Sequence, residues 1–172
     1  MFKRINNNID FAKNENKISD YWNEINAFEK SLDIRKDSKI FRFYDGPPFP
    51  TGSPHYGNLL AGVIKDIVPR YWTMRGFFVE RRFGWDVHGL PIEMEVQKEL
   101  GLEDPQDIDD YGIDKFNEAC RSQVQTNTEN WEKITRKIGR WVDFDNDYKT
   151  MDVGFMESVW WVFKELYDKG LV

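Results

Sequence analysis

Twice in this chain a short β-prone run breaks on a cluster of glycine, proline and aspartate and gives way to a helical pattern. Residues 40–44 (IFRFY) are aromatic and apolar and stop at Asp45-Gly46-Pro47-Pro48, which predicts a buried strand feeding a loop. From Leu59 two rows at four-residue spacing follow: Leu59, Val63, Ile67, Tyr71 and Leu60, Ile64, Val68, Trp72. Lys65, Asp66 and Arg70 fall on the other side. This reads as a helix with a wide buried stripe, tightened near its end by Pro69 and stopped at Gly76. Residues 77–83 (FFVERRF) resume β character and break at Gly84-Trp85-Asp86. After Pro91 residues 92–100 return to helix, ending at Gly101. Strand, loop, helix, strand, loop, helix is the order of a right-handed crossover between parallel strands, so the expected class is α/β. Ligands of such sheets lie beyond the carboxyl ends of the strands. The loops at 45–58 and 84–90 are therefore expected to open on one edge, and each carries one of the two histidines, His55 and His88.

Helical patterns flank this unit. Ile18, Tyr21, Trp22, Ile25, Phe28 and Leu32 recur at three- and four-residue steps across 11–32, which predicts one amphipathic helix braced on a larger body. Beyond Pro105, the residues Ile113, Phe116, Cys120, Val124, Trp131, Ile134, Ile138 and Trp141 describe a long helix of about seven turns. Residues 143–148 read as a loop, and 155–167 as a further apolar helix closed by Lys169-Gly170. Leu171 and Val172 read as the beginning of a strand, which predicts that the sequence is cut inside a larger fold.

With 172 residues, 40% hydrophobic and 16% aromatic, the chain can bury one sizeable core. Its net charge of -6 gives no overall attraction for a phosphate backbone, so this segment would not supply most of the binding to a nucleic acid. A single cysteine, Cys120, excludes an internal disulfide framework, and with two histidines there is no Cys/His set of zinc-ligand spacing; zinc is not expected here. A reducing, cytoplasmic setting is the expectation. MFKRINNNID lacks the apolar core of a signal peptide, and no apolar stretch approaches the roughly 20 residues of a membrane span, so no membrane partner is expected.

The first loop carries chemistry that a backbone can supply. A helix start presents unpaired N–H groups and about half a positive charge, so a phosphate at residues 56–60 would be held by main chain alone. Gly57 lets a flat base or a phosphate approach where any Cβ would intrude. His55 and Asn58 are three apart, so on a first helical turn both can donate to one cluster of oxygens. An ordinary turn, with Asn58 or Ser53 capping the helix and His55 half exposed, is the alternative. Neither Gly-x-x-x-x-Gly-Lys nor Gly-x-Gly-x-x-Gly follows the first strand. In the second loop Asp86 faces the same edge, where a carboxylate pairs with a cationic ligand group; a helix cap or a salt bridge with Arg81 or Arg82 is the alternative. Arg75, Arg81 and Arg82 are candidates for phosphate contact or for a solvated face.

Together these segments resemble a known family. FYDGPPFPTGSPHYGNLLAGVIKDIVPRY is similar to the His-x-Gly-His signature region of class I aminoacyl-tRNA synthetases, and GWDVHGLPIE to their isoleucyl branch, through Val87-His88-Gly89. The likeness continues through RRFGWDVHGLPIEMEVQKELG, GRWVDFDNDYKTMD and FMESVWWVFKELYDKGLV, from about residue 15 onward. It implies a Rossmann-like catalytic domain whose first half is 37–172, preceded by a helical extension over 1–36 and carrying a C-terminal helical segment. The implied activity is ATP-dependent activation of L-isoleucine to its adenylate, with Mg2+ bound alongside ATP, and transfer to tRNA(Ile). The implied enzyme is cytoplasmic and a monomer at full length, and holds tRNA mainly through regions absent from this chain. By the same resemblance Pro48, His55, Gly57 and Asn58 meet ATP; His55 and Asn58 are the catalytic donors toward the triphosphate, and Gly57 lies under the adenine. Gly46, Pro47, Pro48, Phe49 and Asp86 take the amino acid, with Pro47, Pro48 and Phe49 as a wall beside its side chain and Asp86 on its α-amino group. Trp85 and His88 orient the loop. Asn58 stands where the commonest pattern has a second histidine. An amide donates but carries no charge, and a charge-assisted hydrogen bond is about twice as strong as a neutral one.

One methylene is worth only about 1–3 kcal/mol of discrimination, a limit for which isoleucyl enzymes are themselves the standing example, so such an enzyme edits by hydrolysis. The resemblance puts the editing insertion near residue 172, and puts the Lys-Met-Ser-Lys-Ser loop, the second half of the nucleotide fold and the anticodon-binding region outside this chain. Alone, the chain is expected to be inactive, with an exposed apolar seam including Trp160, Trp161 and Val172. Two other readings stand beside this one. A nucleotidyltransferase with a similar loop on a smaller fold is opposed by the long C-terminal helices and GWDVHGLPIE; a truncated or split non-catalytic paralogue acting as a binding partner is the other.

Overall fold

The structure is a computed structural model that describes residues 8–172; the first seven residues of the expected 1–36 extension lie outside the described residues. In chain order the elements are α1 (Phe11–Glu24), α2 (Ala27–Asp33), α3 (Tyr56–Met74), β1 (Arg82–Trp85), α4 (Leu90–Leu100), α5 (Pro105–Tyr111), α6 (Ile113–Lys137), β2 (Asp143–Lys149) and α7 (Val153–Asp168). β1 and β2 pair in parallel, with Gly84 opposite Tyr148 and Trp85 opposite Lys149, and an irregularity between Arg82 and Gly84.

The core gathers on this small sheet. Phe83, Trp85 and Val87 come from β1 and its exit, Ile92 from α4, Val124 and Trp131 from α6, and Val142 and Phe144 from the β2 side. Phe83 stacks on Phe144 with centroids 4.7 Å apart, and Trp131 meets Trp85 edge-on at 6.4 Å. The three- and four-residue spacing of Val124, Thr128, Trp131 and Thr135 gives α6 one buried stripe, and that stripe lays the helix across the sheet. The N-terminal helices reach the body through aromatic contacts: Trp22 and Phe28 both pack on Trp141, with ring centroids 5.4 and 6.3 Å away.

Several expectations are corrected. The helix over 11–32 is two helices, because Asn26 takes the left-handed conformation at φ 50 and interrupts the ladder; a short polar side chain bears that conformation better than most. Residues 40–44 form no strand. Ile40 makes an isolated parallel bridge with Phe78, and no described strand lies alongside to extend it. The second β run starts and ends later than 77–83, with its breaker Gly84 inside the strand. There a Cβ would collide with the Tyr148 ring, so the glycine is a close-approach residue. The loop expected at 143–148 is β2, since tertiary pairing makes a strand of this acidic segment. A short helix, α5, precedes α6, and α3 begins at Tyr56 and runs past Pro69 to Met74. The stripe on α3 is not buried: Leu60, Val63, Ile64, Ile67, Val68 and Tyr71 are exposed, and the helix buries Gly62, Pro69 and Thr73 instead. Periodicity shows that a face is apolar, not that something covers it. Leu171 and Val172 form no strand, and Trp160, Trp161 and Val172 are exposed as expected.

Candidate functional site

The start of α3 is closed by a reciprocal pair. His55 is the N-cap, and its Nδ1 accepts the Asn58 main-chain N–H at 3.4 Å, while Asn58 Oδ1 accepts the His55 main-chain N–H at 3.0 Å. This capping box settles the chemistry of both side chains. A main-chain N–H only donates, so the Asn58 oxygen must face it and the NH2 is left for another partner. Nδ1 of the ring faces the Asn58 N–H, which also donates to the His55 carbonyl at 2.9 Å, so Nε2 is the ring nitrogen left for a ligand. His55 Nε2 and the Asn58 NH2 are the side-chain groups that the cap leaves unused. Tyr56 beside them is 90% exposed, so the mouth of the helix is open. A Cβ at Gly57 would fall 2.9 Å from His55 Cε1 and 3.1 Å from Nδ1; the glycine makes room for the imidazole itself. His55 is thus the cap, in place of the alternative caps Asn58 or Ser53, and it is exposed.

Asp45 fastens the loop ahead of this turn. Its side chain is wholly buried between Lys65 Nζ and Arg140 Nη2, each 2.6 Å away. Arg140 makes a hydrogen bond, whereas Lys65 approaches Oδ1 off the hydrogen-bonding direction and donates to the Gly46 carbonyl at 2.7 Å. The Tyr148 hydroxyl donates to the Asp45 carbonyl at 3.0 Å. Further along, Trp131 Nε1 donates to the Gly52 carbonyl at 2.9 Å and Asn130 to Ser53 Oγ at 3.1 Å, so α6 holds the second half of the same loop.

The two breaker loops meet. The Asp86 main-chain N–H donates to the Pro48 carbonyl at 2.9 Å. Asp86 is half-buried, and its Oδ1 accepts from the Thr150 hydroxyl at 3.3 Å. The alternative of a salt bridge to Arg81 or Arg82 is set aside: Arg82 faces Glu80 at 3.8 Å, and Arg81 is buried, donating to the Pro69 carbonyl at 3.1 Å and to the Thr73 hydroxyl. Burial pushes the Arg81 guanidinium down to about 10, with nearby Asp66 acting the other way. Such an arginine is not available to phosphate, while Arg75 and Arg82 are exposed. Pro47 and Pro48 are half-buried, and Gly46 and Phe49 exposed. Pro48 and Asn58 share a hollow of about 60 Å³ with Lys65 and Arg140. Trp85 is buried and donates from Nε1 to Asp147 at 2.6 Å, which fixes the start of the second loop. His88 is exposed and lines a separate hollow with Glu93, Cys120 and Arg121. Among the described residues no three His, Cys, Asp or Glu side chains gather to hold a metal ion.

Residues 17–172 match the family of tRNA synthetases class I (I, L, M and V). The chain belongs to that family. This class I synthetase chain is 57% identical over 171 residues, 99% of its length, to the isoleucine-tRNA ligase of Tetrahymena thermophila. It is 54% identical over all 172 residues to that of Treponema denticola, and 54% over 167 residues, 97% of its length, to the cytoplasmic isoleucine-tRNA ligase of Saccharomyces cerevisiae. It spans 16% of the length of each of these relatives. Among solved structures it resembles LeuRS of Agrobacterium radiobacter K84, in a ternary complex with tRNA and LeuAMS. The TM-score is 0.66 at 20% identity, covering 95% of this chain and 19% of that one. That likeness carries the fold, which is the α/β, Rossmann-like first half of a class I synthetase catalytic domain.

Sequence reasoning missed the residues that hold these two loops: Asp45, Lys65, Arg140, Tyr148 and Thr150. The one local signal was the alternation of Phe144 with acidic neighbours in DFDNDYK, which fits a half-buried strand.

Proposed function

We propose that this chain is the N-terminal part of an isoleucyl-tRNA synthetase, comprising a helical extension over 1–36 and the first half of the catalytic domain over 37–172. The whole enzyme activates L-isoleucine with ATP and passes the acyl group to tRNA(Ile). Identity of 54–57% to isoleucine-tRNA ligases along nearly the whole chain is the observation that carries this reading.

The geometry supports specific roles. His55 Nε2–H and the Asn58 NH2 donate to polyphosphate oxygens, and the open amides at 56 and 57 add main-chain donors. The hollow shared by Pro48 and Asn58 is too small for a nucleotide; in this reading ATP lies outside it, over the exposed His55 and Gly57. Asp86 receives the substrate ammonium, and Gly46, Pro47, Pro48 and Phe49 flank the apolar side chain. Mg2+ arrives with ATP and supplies charge neutralisation on the phosphate oxygens. No enzyme nucleophile is required, because the substrate carboxylate is the attacking group; these residues position it and stabilise charge on the phosphoryl oxygens. The exposed rows of α3 and α7 form the seam on which the rest of the catalytic domain packs. No helix among the described residues is long and apolar enough to cross a membrane; the name of the yeast relative supports a cytoplasmic setting, and the full-length enzyme is proposed to be a monomer.

The test is isoleucine-dependent pyrophosphate exchange by the full-length protein. His55→Ala lowers the exchange rate by about two to three orders of magnitude, the scale of one lost transition-state donor. An unchanged rate overturns the assignment.

A further inference from the structure

The end of β2 sends two side chains, two residues apart, to the two loops of the site. Tyr148 crosses over Gly84, stacks on Phe155 with centroids 5.8 Å apart, and donates to the Asp45 carbonyl in the first loop. Thr150 reaches the second loop. Its hydroxyl accepts the Val87 main-chain N–H at 3.0 Å and lies 3.3 Å from Asp86 Oδ1. Its own main-chain N–H donates to the Trp85 carbonyl at 3.0 Å, which holds the residue in register with β1.

We infer that Thr150 is a positioning residue for the Asp86 carboxylate, turning one carboxylate oxygen inward so that the other is presented to the substrate ammonium. This rests on the reading of Asp86 as the ammonium partner. A hydroxyl has one proton to give. Because Val87 occupies its acceptor side, the Thr150 proton has Asp86 Oδ1 as its recipient. Thr150 is 5% exposed, so water does not compete for that proton. Among the described residues no other donor reaches the Asp86 side chain, and Oδ2 stays free for a ligand. The main chain of Asp86 is pinned separately by the Pro48 carbonyl, so rotation about its side-chain bonds is the freedom that remains, and the hydroxyl removes it. At 3.3 Å the bond is long for O–H···O, so it guides the carboxylate without saturating it.

The experiment is steady-state pyrophosphate exchange by the full-length synthetase, read separately for isoleucine and ATP. Thr150→Val keeps the shape and removes the hydroxyl; it raises KM for isoleucine about three- to tenfold, the scale of one ordinary hydrogen bond, and leaves KM for ATP unchanged. Thr150→Ser restores the parent value. Thr150→Ala, which also removes the hydroxyl and relieves the crowding a valine could cause, reproduces the same split and serves if the valine variant does not fold. In an Asp86→Asn background, Thr150→Val adds no further rise in KM. Equal rises in both KM values, a rise that persists additively in the Asp86→Asn background, or no rise at all overturns the inference. If Asp86→Asn alone leaves KM for isoleucine unchanged, the reading of Asp86 falls. If it raises KM while the Thr150 variants do not, only the positioning role falls.

Discussion

The Asp86 main-chain N–H and the Pro48 carbonyl, 2.9 Å apart, join the two loops on which the proposed chemistry depends. Because both partners are main chain, the spacing between the carboxylate at 86 and the proline wall at 47–48 is set by backbone. Side-chain changes at either position leave that bond in place, so they report on ligand contact more than on loop architecture.

Gly57→Ala separates stability from activity. The added methyl collides with the His55 ring, whose nearest atoms would lie 2.9 and 3.1 Å away, and an exposed ring yields by swinging aside. Alanine is the better helix former by up to about 1 kcal/mol, and the lost His55 cap costs a similar amount, so the melting temperature changes little. Pyrophosphate exchange nonetheless falls by about tenfold or more, because the proposed transition-state donor is displaced. Parent-like exchange in this variant would show that the seat of the imidazole is immaterial.

The Asp45 cluster is the strongest structural commitment of the first loop. Arg140→Met leaves the wholly buried Asp45 carboxylate with Lys65 alone and costs about 3–5 kcal/mol in chemical denaturation, the scale of a buried charge stripped of a partner. Adding Asp45→Asn to that variant recovers much of the loss, since no buried charge is left uncompensated. Lys65→Met costs less, because Lys65 is 28% exposed and water reaches its place. A mild effect of Arg140→Met would show that the loop is held elsewhere.

Tyr148 makes the fold alkali-sensitive. Burial first, and then the charges of Asp45, Tyr44 and Asp86, hold its phenol above the ordinary 10.0. Below pH 10.0 the native and unfolded chains both keep the proton. Above it the unfolded chain releases the proton while the native chain retains it, so stability falls as pH rises through the native value. Tyr148→Phe removes this component, and its unfolding free energy declines less steeply across the same range. Identical alkaline slopes for the two proteins would contradict the assignment.

Much of the helical part was legible because it is periodic. The stripe of α6 and the glycine stop of α4 follow from three- and four-residue spacing and from Gly101. β2 was not, because Asp143, Asp145 and Asp147 give it the composition of a loop, and its strand character comes from pairing with β1. In the site, the three-residue step from His55 to Asn58 is visible in the sequence. The direction of its two hydrogen bonds, which decides what each side chain has left to offer, is not. Asp45 looked like a turn residue; its burial depends on Lys65 and Arg140, and no local pattern connects residues 45 and 140.

Those separations govern how the protein comes off the ribosome. The hydrogen bonds from Arg140 and Tyr148 to Asp45 close over 95 and 103 residues, so the first loop stays unfastened and its carboxylate hydrated until nearly the whole stretch has emerged. The rim of the first loop is begun early in synthesis and completed late.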